Sequence, residues 1–317
     1  MDKDHDDLRV FPGSASPQLT AAICRVLGIE PGRCEAKQFS EGNTFVRVLE
    51  NVRGRDTYIV QTLRRPVNDH FMELLFWVDA LRRASAAHVT AVIPFFSYAK
   101  GDKKDEPRVS IRARVCADCL EVAGADRVLT MDLHTPQIQG FFRIMVDHLY
   151  ALPVLAEYFR NLVDENWVIV APDVGFGEQA RRFGRALGID YVVSEKTRTA
   201  HDEKAHVLRI IGDVRGKTCL IVDDFVTSGG TLIGTADKLL DSGAREVYAA
   251  ISHGVLPRGA AGRIQNSALK RLVITDTIEG HTEPFPPNVE VVSVASLFAR
   301  AIHNIHHRTS VSELFQV

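Results

Sequence analysis

A chain of 317 residues, 45% of them hydrophobic, can bury a sizeable core and fits two domains of ordinary size better than one. Its 38 Lys and Arg are matched by 40 Asp and Glu, so no global positive field recruits nucleic acid or an anionic membrane surface, and any phosphate binding must be local. The opening Met1-Asp2-Lys3-Asp4-His5-Asp6-Asp7 is the opposite of a secretory signal, and no apolar run approaches the roughly 20 residues of a membrane span; a cytoplasmic protein is expected, with neither nucleic acid nor membrane as partner.

Along the chain, short β-rich apolar runs recur at 58–61, 89–93, 128–131, 168–170, 191–193, 220–222, 247–251 and 272–274. Most lack polar alternation, as in buried parallel strands. Helical patterns lie between them: Phe71, Leu74, Leu75, Val78 and Leu81 form one apolar face, 111–122 reads as a helix, another ends around Leu162, and 232–240 and 297–307 follow. Strand alternating with helix predicts an α/β fold. Ala117-Asp118, Leu120, Gly124-Ala125, Val128 and His134 recur 119 residues later as Ala236-Asp237, Leu239, Gly243-Ala244, Val247 and His253, so the chain reads as two copies of one α/β unit. The boundary falls near 150, giving domains over 8–149 and 150–304 and a tail, 305–317, expected to pack on the first. Ligands of such sheets sit at the C-terminal ends of strands.

The five cysteines, Cys24, Cys34, Cys116, Cys119 and Cys219, form no disulfide framework, and reduced thiols are expected. Cys116 and Cys119 are a single CxxC on a helix without a second ligand pair, which reads as packing rather than zinc. His303, His306 and His307 lack a carboxylate or Cys partner at ligand spacing and read the same way.

The most informative segment is Cys219-Leu-Ile-Val-Asp-Asp-Phe-Val-Thr-Ser-Gly-Gly-Thr231: a buried strand, two carboxylates, a small-residue loop, then a helix. Free N–H groups at a helix N-terminus bind phosphate, Gly229 and Gly230 permit close approach, and Thr227, Ser228 and Thr231 add hydroxyls. Asp223 and Asp224 can accept from vicinal ribose hydroxyls. Two further strands end in metal-capable residues, Val128-Leu-Thr-Met-Asp-Leu-His134 and Val168-Ile-Val-Ala-Pro-Asp173, and magnesium favours a few oxygen ligands completed by substrate phosphates. Glu195-Lys196-Thr197-Arg198 reads as a loop carrying two cations suited to a transferring phosphoryl group. Taken singly, His134 and the basic turn are more often structural.

Two acids followed by Thr-Ser-Gly-Gly-Thr resemble the phosphoribosyl diphosphate motif of the phosphoribosyltransferase fold. Together with 84–94, Asp132-Leu-His134-Thr-Pro-Gln-Ile-Gln-Gly-Phe-Phe142, 50–54, 78–85 and 210–214, it makes the chain from about Phe39 onward resemble the ribose-phosphate diphosphokinases, the phosphoribosyl diphosphate synthetases. The resemblance implies two tandem phosphoribosyltransferase-like domains, each a mainly parallel sheet flanked by helices. It implies Mg2+-dependent transfer of the diphosphoryl group of ATP, or another nucleoside triphosphate, to the anomeric hydroxyl of ribose 5-phosphate. Residue by residue, Lys196 and Arg198 become catalytic, His134 and Asp173 hold magnesium, and Asp223, Asp224, Thr227, Ser228, Gly229, Gly230 and Thr231 hold ribose 5-phosphate. Phe39, Glu41, Gly42, Asn43, Lys100 and Gly101 take the nucleotide, at a site shared between subunits of a dimer-based homo-oligomer, a hexamer being one such assembly and the size left open.

Departures concentrate at the nucleotide end, where the family's usual Phe-Ser-Asp-Gly-Glu is Phe39-Ser-Glu-Gly-Asn43 and Tyr-Ala-Arg-Gln is Tyr98-Ala-Lys-Gly101. Lys100 lacks the planar, bidentate guanidinium, so broader triphosphate use is expected. Two rival readings stay open: a non-catalytic regulatory homologue, disfavoured by the presence of Lys196, Arg198, His134 and Asp173, and a phosphoribosyltransferase, which needs no second α/β unit.

Overall fold

A computed structural model describes residues 7–197 and 206–315, and every apolar run noted above falls on a strand, with Gln61 just beyond one end. The chain divides into two units. In the first, the elements are β1 (Leu8–Pro12), α1 (Pro17–Leu27), β2 (Cys34–Gln38), β3 (Thr44–Val48), β4 (Asp56–Val60), α2 (Val67–Arg83), β5 (His88–Ile93), α3 (Arg112–Ala123), β6 (Arg127–Met131) and β7 (Met145–Leu149). Five strands make a wholly parallel sheet in the order β1-β4-β5-β6-β7, while β2 and β3 form a separate antiparallel hairpin.

The periodic face of α2 is buried as its spacing requires: Phe71, Leu74, Trp77, Val78 and Leu81 join Ile59 of β4, Val89 and Ile93 of β5, and Leu120 of α3 in one core. Arg82 and Arg83 close the helix where cations favour its negative end. On the same helix Glu73 is 4% exposed and fully engaged, accepting from the backbone N–H of Ser14 at 2.9 Å, from the Ser14 hydroxyl, and from Trp77 Nε1 at 3.1 Å.

The second unit contains α4 (Leu152–Phe159), β8 (Trp167–Ala171), α5 (Gly177–Leu187), β9 (Tyr191–Thr197), β10 (His206–Ile211), β11 (Thr218–Val226), α6 (Gly230–Asp241), β12 (Glu246–Gly254), α7 (Ala260–Gln265), β13 (Arg271–Thr275) and β14 (Val289–Val292). Its sheet runs β10-β9-β8-β11-β12-β13-β14, parallel except for the antiparallel edge pair β10 and β9. Val168, Val170, Ile221, Val247, Ile251, Leu272 and Ile274 fill its core with Leu239 of α6. The sequence repeat maps onto corresponding helix-to-strand steps, α3 to β6 and α6 to β12, and each step turns on a glycine at positive φ, Gly124 at 107° and Gly243 at 94°.

One boundary departs from expectation. Domains at 150–304 and 305–317 would put the final helix, α8 (Ala295–His306), in the second unit; instead the chain returns to the first unit at Val294. The reason is burial: Leu297, Phe298, Ala301 and Ile302 are 0–6% exposed, and α8 packs on α1. His306 Nδ1 adds a 2.7 Å contact to Asp56 of β4. Residues 277–279 also belong to the first unit, where Glu279 accepts from the backbone N–H of Gln18 at 3.0 Å.

All five cysteines are free thiols. Burial pushes Cys24, Cys116 and Cys219 up to about 12, and Cys34 to about 11. No helix among the described residues is long and apolar enough to cross a membrane.

Candidate active site

β11 stays buried through Val222 and then carries Asp223 and Asp224 at its C-terminal end, beside β12. Both carboxylates fold back on the chain, Asp223 Oδ1 accepting from the N–H of Asp224 at 2.9 Å and Asp224 Oδ1 from that of Phe225 at 2.8 Å. Asp224 is 8% exposed and Asp223 half-buried. Thr227, Ser228 and Gly229 then turn the chain into α6. Gly229 caps that helix at φ 82°, ψ −9°, a left-handed conformation that a side chain resists. The N–H groups of Gly230, Thr231 and Leu232 open the first helical turn, where no intrahelical acceptor exists. Arg263 of α7 fixes the loop from outside by donating from Nε to the carbonyl of Ser228 at 3.0 Å. Motif reasoning missed that support, because nothing in the local pattern links positions 35 residues apart.

β8 and β9 end on the same side of the sheet. Asp173 follows β8 and caps the 3-10 turn Val174–Phe176, its Oδ1 accepting from the N–H of Phe176 at 3.2 Å. Its other oxygen has no hydrogen-bond partner among the described residues. A Cβ on Gly175 would approach Asp173 Oδ1 to 3.2 Å, so the glycine keeps the carboxylate's surroundings open. Lys196 lies on the backbone of β9, paired with Val207 of β10. The segment from Glu195 was expected as a loop; it is strand through Thr197, because β10 supplies the missing pairing and Arg209 Nε holds Glu195 Oε2 at 2.6 Å. Arg198 lies outside the described residues. Lys196, Asp173, Asp223 and the cradle 227–231 thus belong to the C-terminal ends of three adjacent parallel strands, β9, β8 and β11.

The remaining candidates lie in the first unit. His134 is exposed on a turn after β6, where Asp132 takes φ 37° and the N–H of Leu133 donates to His148 Nε2 at 2.9 Å. Lys100 ends the 3-10 turn Ser97–Lys100 after the neighbouring strand β5, and Gly101 follows. Thr135 Oγ1 donates to Asp102 Oδ2 at 2.7 Å, joining the two strand ends. Arg112 occupies the space beside Gly101, so a Cβ there would meet its Nε at 2.6 Å. Phe39, Glu41, Gly42 and Asn43 form the tip of the β2–β3 hairpin, closed by a 2.8 Å bond from the N–H of Phe39 to the carbonyl of Asn43, with Gly42 at φ 89°. Phe39 is 41% exposed and faces Phe45 at 5.9 Å, with the Lys37 ammonium 5.4 and 5.0 Å from the two rings. Among the described residues, no group of three or more His, Cys, Asp or Glu could hold a metal by itself.

Comparison with known proteins accounts for both units. Residues 8–124 match the model of the N-terminal domain of ribose phosphate pyrophosphokinase, and residues 191–316 match the phosphoribosyl synthetase-associated domain. The ribose-phosphate pyrophosphokinase of Agrobacterium fabrum is 45% identical over 310 residues, covering 97% of this chain and 100% of that one. That of Clostridium acetobutylicum is 43% identical over 312 residues, covering 98% of each chain. The crystal structure of phosphoribosylpyrophosphate synthetase from Mycobacterium smegmatis aligns with a TM-score of 0.89 at 37% identity, over 95% of this chain and 99% of that one. Full-length identity at this level, on a fold whose strand ends carry the expected motifs, means that the chain belongs to the ribose-phosphate pyrophosphokinase family.

Proposed function

We infer that the protein makes phosphoribosyl diphosphate from ribose 5-phosphate and a nucleoside triphosphate. The observation that carries this is the strand-end edge of the second unit, where two carboxylates, a hydroxyl-rich loop and an open helix N-terminus follow one another from Asp223 to Thr231. Asp223 and Asp224 accept from the ribose hydroxyls, while Thr227, Ser228, Gly229, Gly230 and Thr231 surround the 5-phosphate with donors. The anomeric oxygen attacks the β-phosphorus, its proton is lost to solvent, and the bond from the β-phosphorus to the α-phosphate oxygen breaks, releasing AMP when ATP is the donor. Lys196 and Arg198 neutralise the charge on the transferring diphosphoryl oxygens, and catalysis is otherwise positioning.

Asp173, with one carboxylate oxygen unengaged among the described residues, suits a hard divalent cation such as Mg2+. His134, on the first unit, is the other metal-capable residue that the family resemblance carries over. When bound, the cation supplies charge neutralisation on phosphate oxygens that complete its coordination. Lys100, Gly101 and the hairpin tip Phe39, Glu41, Gly42 and Asn43 take the nucleotide, the hairpin serving a neighbouring subunit in a homo-oligomer of the cytoplasm. With ribose 5-phosphate, ATP and Mg2+, the purified protein is expected to form AMP and phosphoribosyl diphosphate one for one. Turnover of the triphosphate without the sugar diphosphate contradicts this function, and no turnover with any triphosphate contradicts it in favour of the non-catalytic homologue.

A further inference from the structure

Away from the strand-end edge, the second unit contains a cavity of about 580 Å³ between the end of β10, the turn after it and the last turn of α6. Its walls include Arg209, Gly212, Asp213, Arg215, Lys238 and Ser242. Three of the lining residues are cations and one is an acid. The acid is already committed, because Asp213 Oδ1 accepts from the backbone N–H of Arg215 at 3.1 Å. Arg209 is partly neutralised by Glu195 at 2.6 Å. Arg215 and Lys238, in contrast, make no ion pair among the described residues, although Asp237 and Asp241 lie on the same helix as Lys238.

The walls are fixed before any ligand arrives. The turn carrying Arg215 is tied down by bonds from the N–H of Gly216 to the carbonyl of Gly243 at 2.8 Å and from the N–H of Lys217 to that of Val214 at 3.1 Å. Gly243 has no side chain where the Arg215 stem passes, since a Cβ there would lie 3.4 Å from Arg215 Cγ. Gly212, at φ 124°, also lines the cavity, and because a Cβ there would meet Val192 Cγ1 at 2.3 Å, the glycine lets this turn pack closely on β9. A helix C-terminus repels anions, but this one is well capped. Ser242 donates to the carbonyl of Lys238 through both N–H and hydroxyl, and the N–H groups of Gly243 and Ala244 serve Leu240 and Leu239. Arg209, Arg215 and Lys238 outnumber Asp213 in the lining, and a cleft with an excess of one sign of charge concentrates the opposite ion.

We propose that this cavity binds a small molecule carrying a phosphate or diphosphate group, separately from the ribose 5-phosphate cradle. Arg215 offers a planar fork that matches two phosphate oxygens, and Lys238 a point charge from the facing helix. The volume suits a phosphorylated metabolite of nucleotide size, with room beyond the phosphate itself. Such a ligand ties β10, which follows the Lys196 strand, to α6, whose opposite end is the cradle.

The test is amide hydrogen exchange on the full-length protein with inorganic diphosphate or a nucleoside diphosphate, comparing wild type with the Arg215→Ser/Lys238→Ser variant. Slower exchange over 210–217 and 238–244 is expected, together with at least a tenfold loss of affinity at this footprint in the variant. The variant's unfolding midpoint and its turnover are expected to stay those of wild type, since neither residue touches the cradle or the Lys196 side of the sheet. Protection by inorganic diphosphate assigns the recognition to the phosphates; protection by the nucleoside diphosphate alone assigns it to a nucleoside-bearing ligand. No protection over these segments at millimolar concentrations of either compound, or equal protection in the variant, overturns the proposal, and neither outcome depends on whether the strand-end edge turns over substrate.

Discussion

Gly229 and Gly234 are five residues apart around the start of α6, and the same substitution is expected to act oppositely at the two. Gly229 holds φ 82°, where a Cβ costs roughly 1–2 kcal/mol through its clash with the chain. The new atom would stand 3.4 Å from Ile264 Cγ1, an ordinary van der Waals contact, so the cost lies in the backbone conformation. Gly234 sits within the helix with nothing within 4 Å of a built Cβ, so Ala there gains about 0.8–1 kcal/mol in helix propensity. Gly229→Ala and Gly234→Ala should therefore differ by roughly 2–3 kcal/mol in urea unfolding at unchanged m value. Because strain at Gly229 is relieved by tilting the N–H groups of the cradle, Gly229→Ala should also raise KM for ribose 5-phosphate by about fivefold or more, with Gly234→Ala near wild type. Equal stability of the two variants, or a Gly229→Ala protein that keeps both its midpoint and its KM, would refute the argument that this glycine sets the cradle's geometry.

Other consequences follow from particular groups. Glu73→Ala strands the indole N–H of buried Trp77 inside the first unit and removes the acceptor of the exposed Ser14 N–H, and should cost about 1–3 kcal/mol, measured by chemical denaturation; a loss below about 0.5 kcal/mol would mean that water replaces the carboxylate. Cys24, Cys116 and Cys219 have folded pKa values near 12 against an unfolded value near 9, so the folded state holds protons that the unfolded state releases. Their contribution is whole below about pH 9 and is lost as pH climbs toward 12, at up to ~1.4 kcal/mol per pH unit for each thiol. Urea midpoints at pH 8 and 10 check the sign, and a Cys219→Ala variant should show the shallower fall. At the nucleotide end, CTP or GTP should support turnover at more than about one-hundredth of the ATP rate, as initial rates under saturating ribose 5-phosphate would reveal.

The parallel strands were legible because strands buried on both faces leave continuous apolar runs, as at 168–170 and 220–222. Strands with another physical basis were not. β2, Cys-Glu-Ala-Lys-Gln, is mostly exposed and exists through pairing with β3, so no burial pattern marks it. β1, β7 and β14 lie at sheet edges, and β10 is held by its partner β9 and carries no continuous run of its own. The place of α8 depends on non-local packing against α1, which a reading in chain order assigns to whatever domain precedes it. The cradle was readable residue by residue because its chemistry is contiguous, strand then loop then helix. Its brace is not contiguous, since Arg263 reaches Ser228 from 35 positions away; in the first unit, Arg112 beside Gly101 and Thr135 bonded to Asp102 are likewise contacts that no local motif spells out.

The most direct test separates binding from chemistry at the second unit's strand-end edge. Ribose 5-phosphate affinity by equilibrium titration and turnover by AMP release would be measured on wild type, Lys196→Ala and Asp223→Asn/Asp224→Asn. The account predicts that Lys196→Ala keeps the sugar phosphate affinity while kcat falls at least about a hundredfold, and that the paired Asn variant loses affinity itself. A Lys196→Ala protein that turns over at the wild-type rate, or a paired Asn variant that binds ribose 5-phosphate unchanged, would contradict the assignment of this edge as the place where the diphosphoryl group meets the sugar.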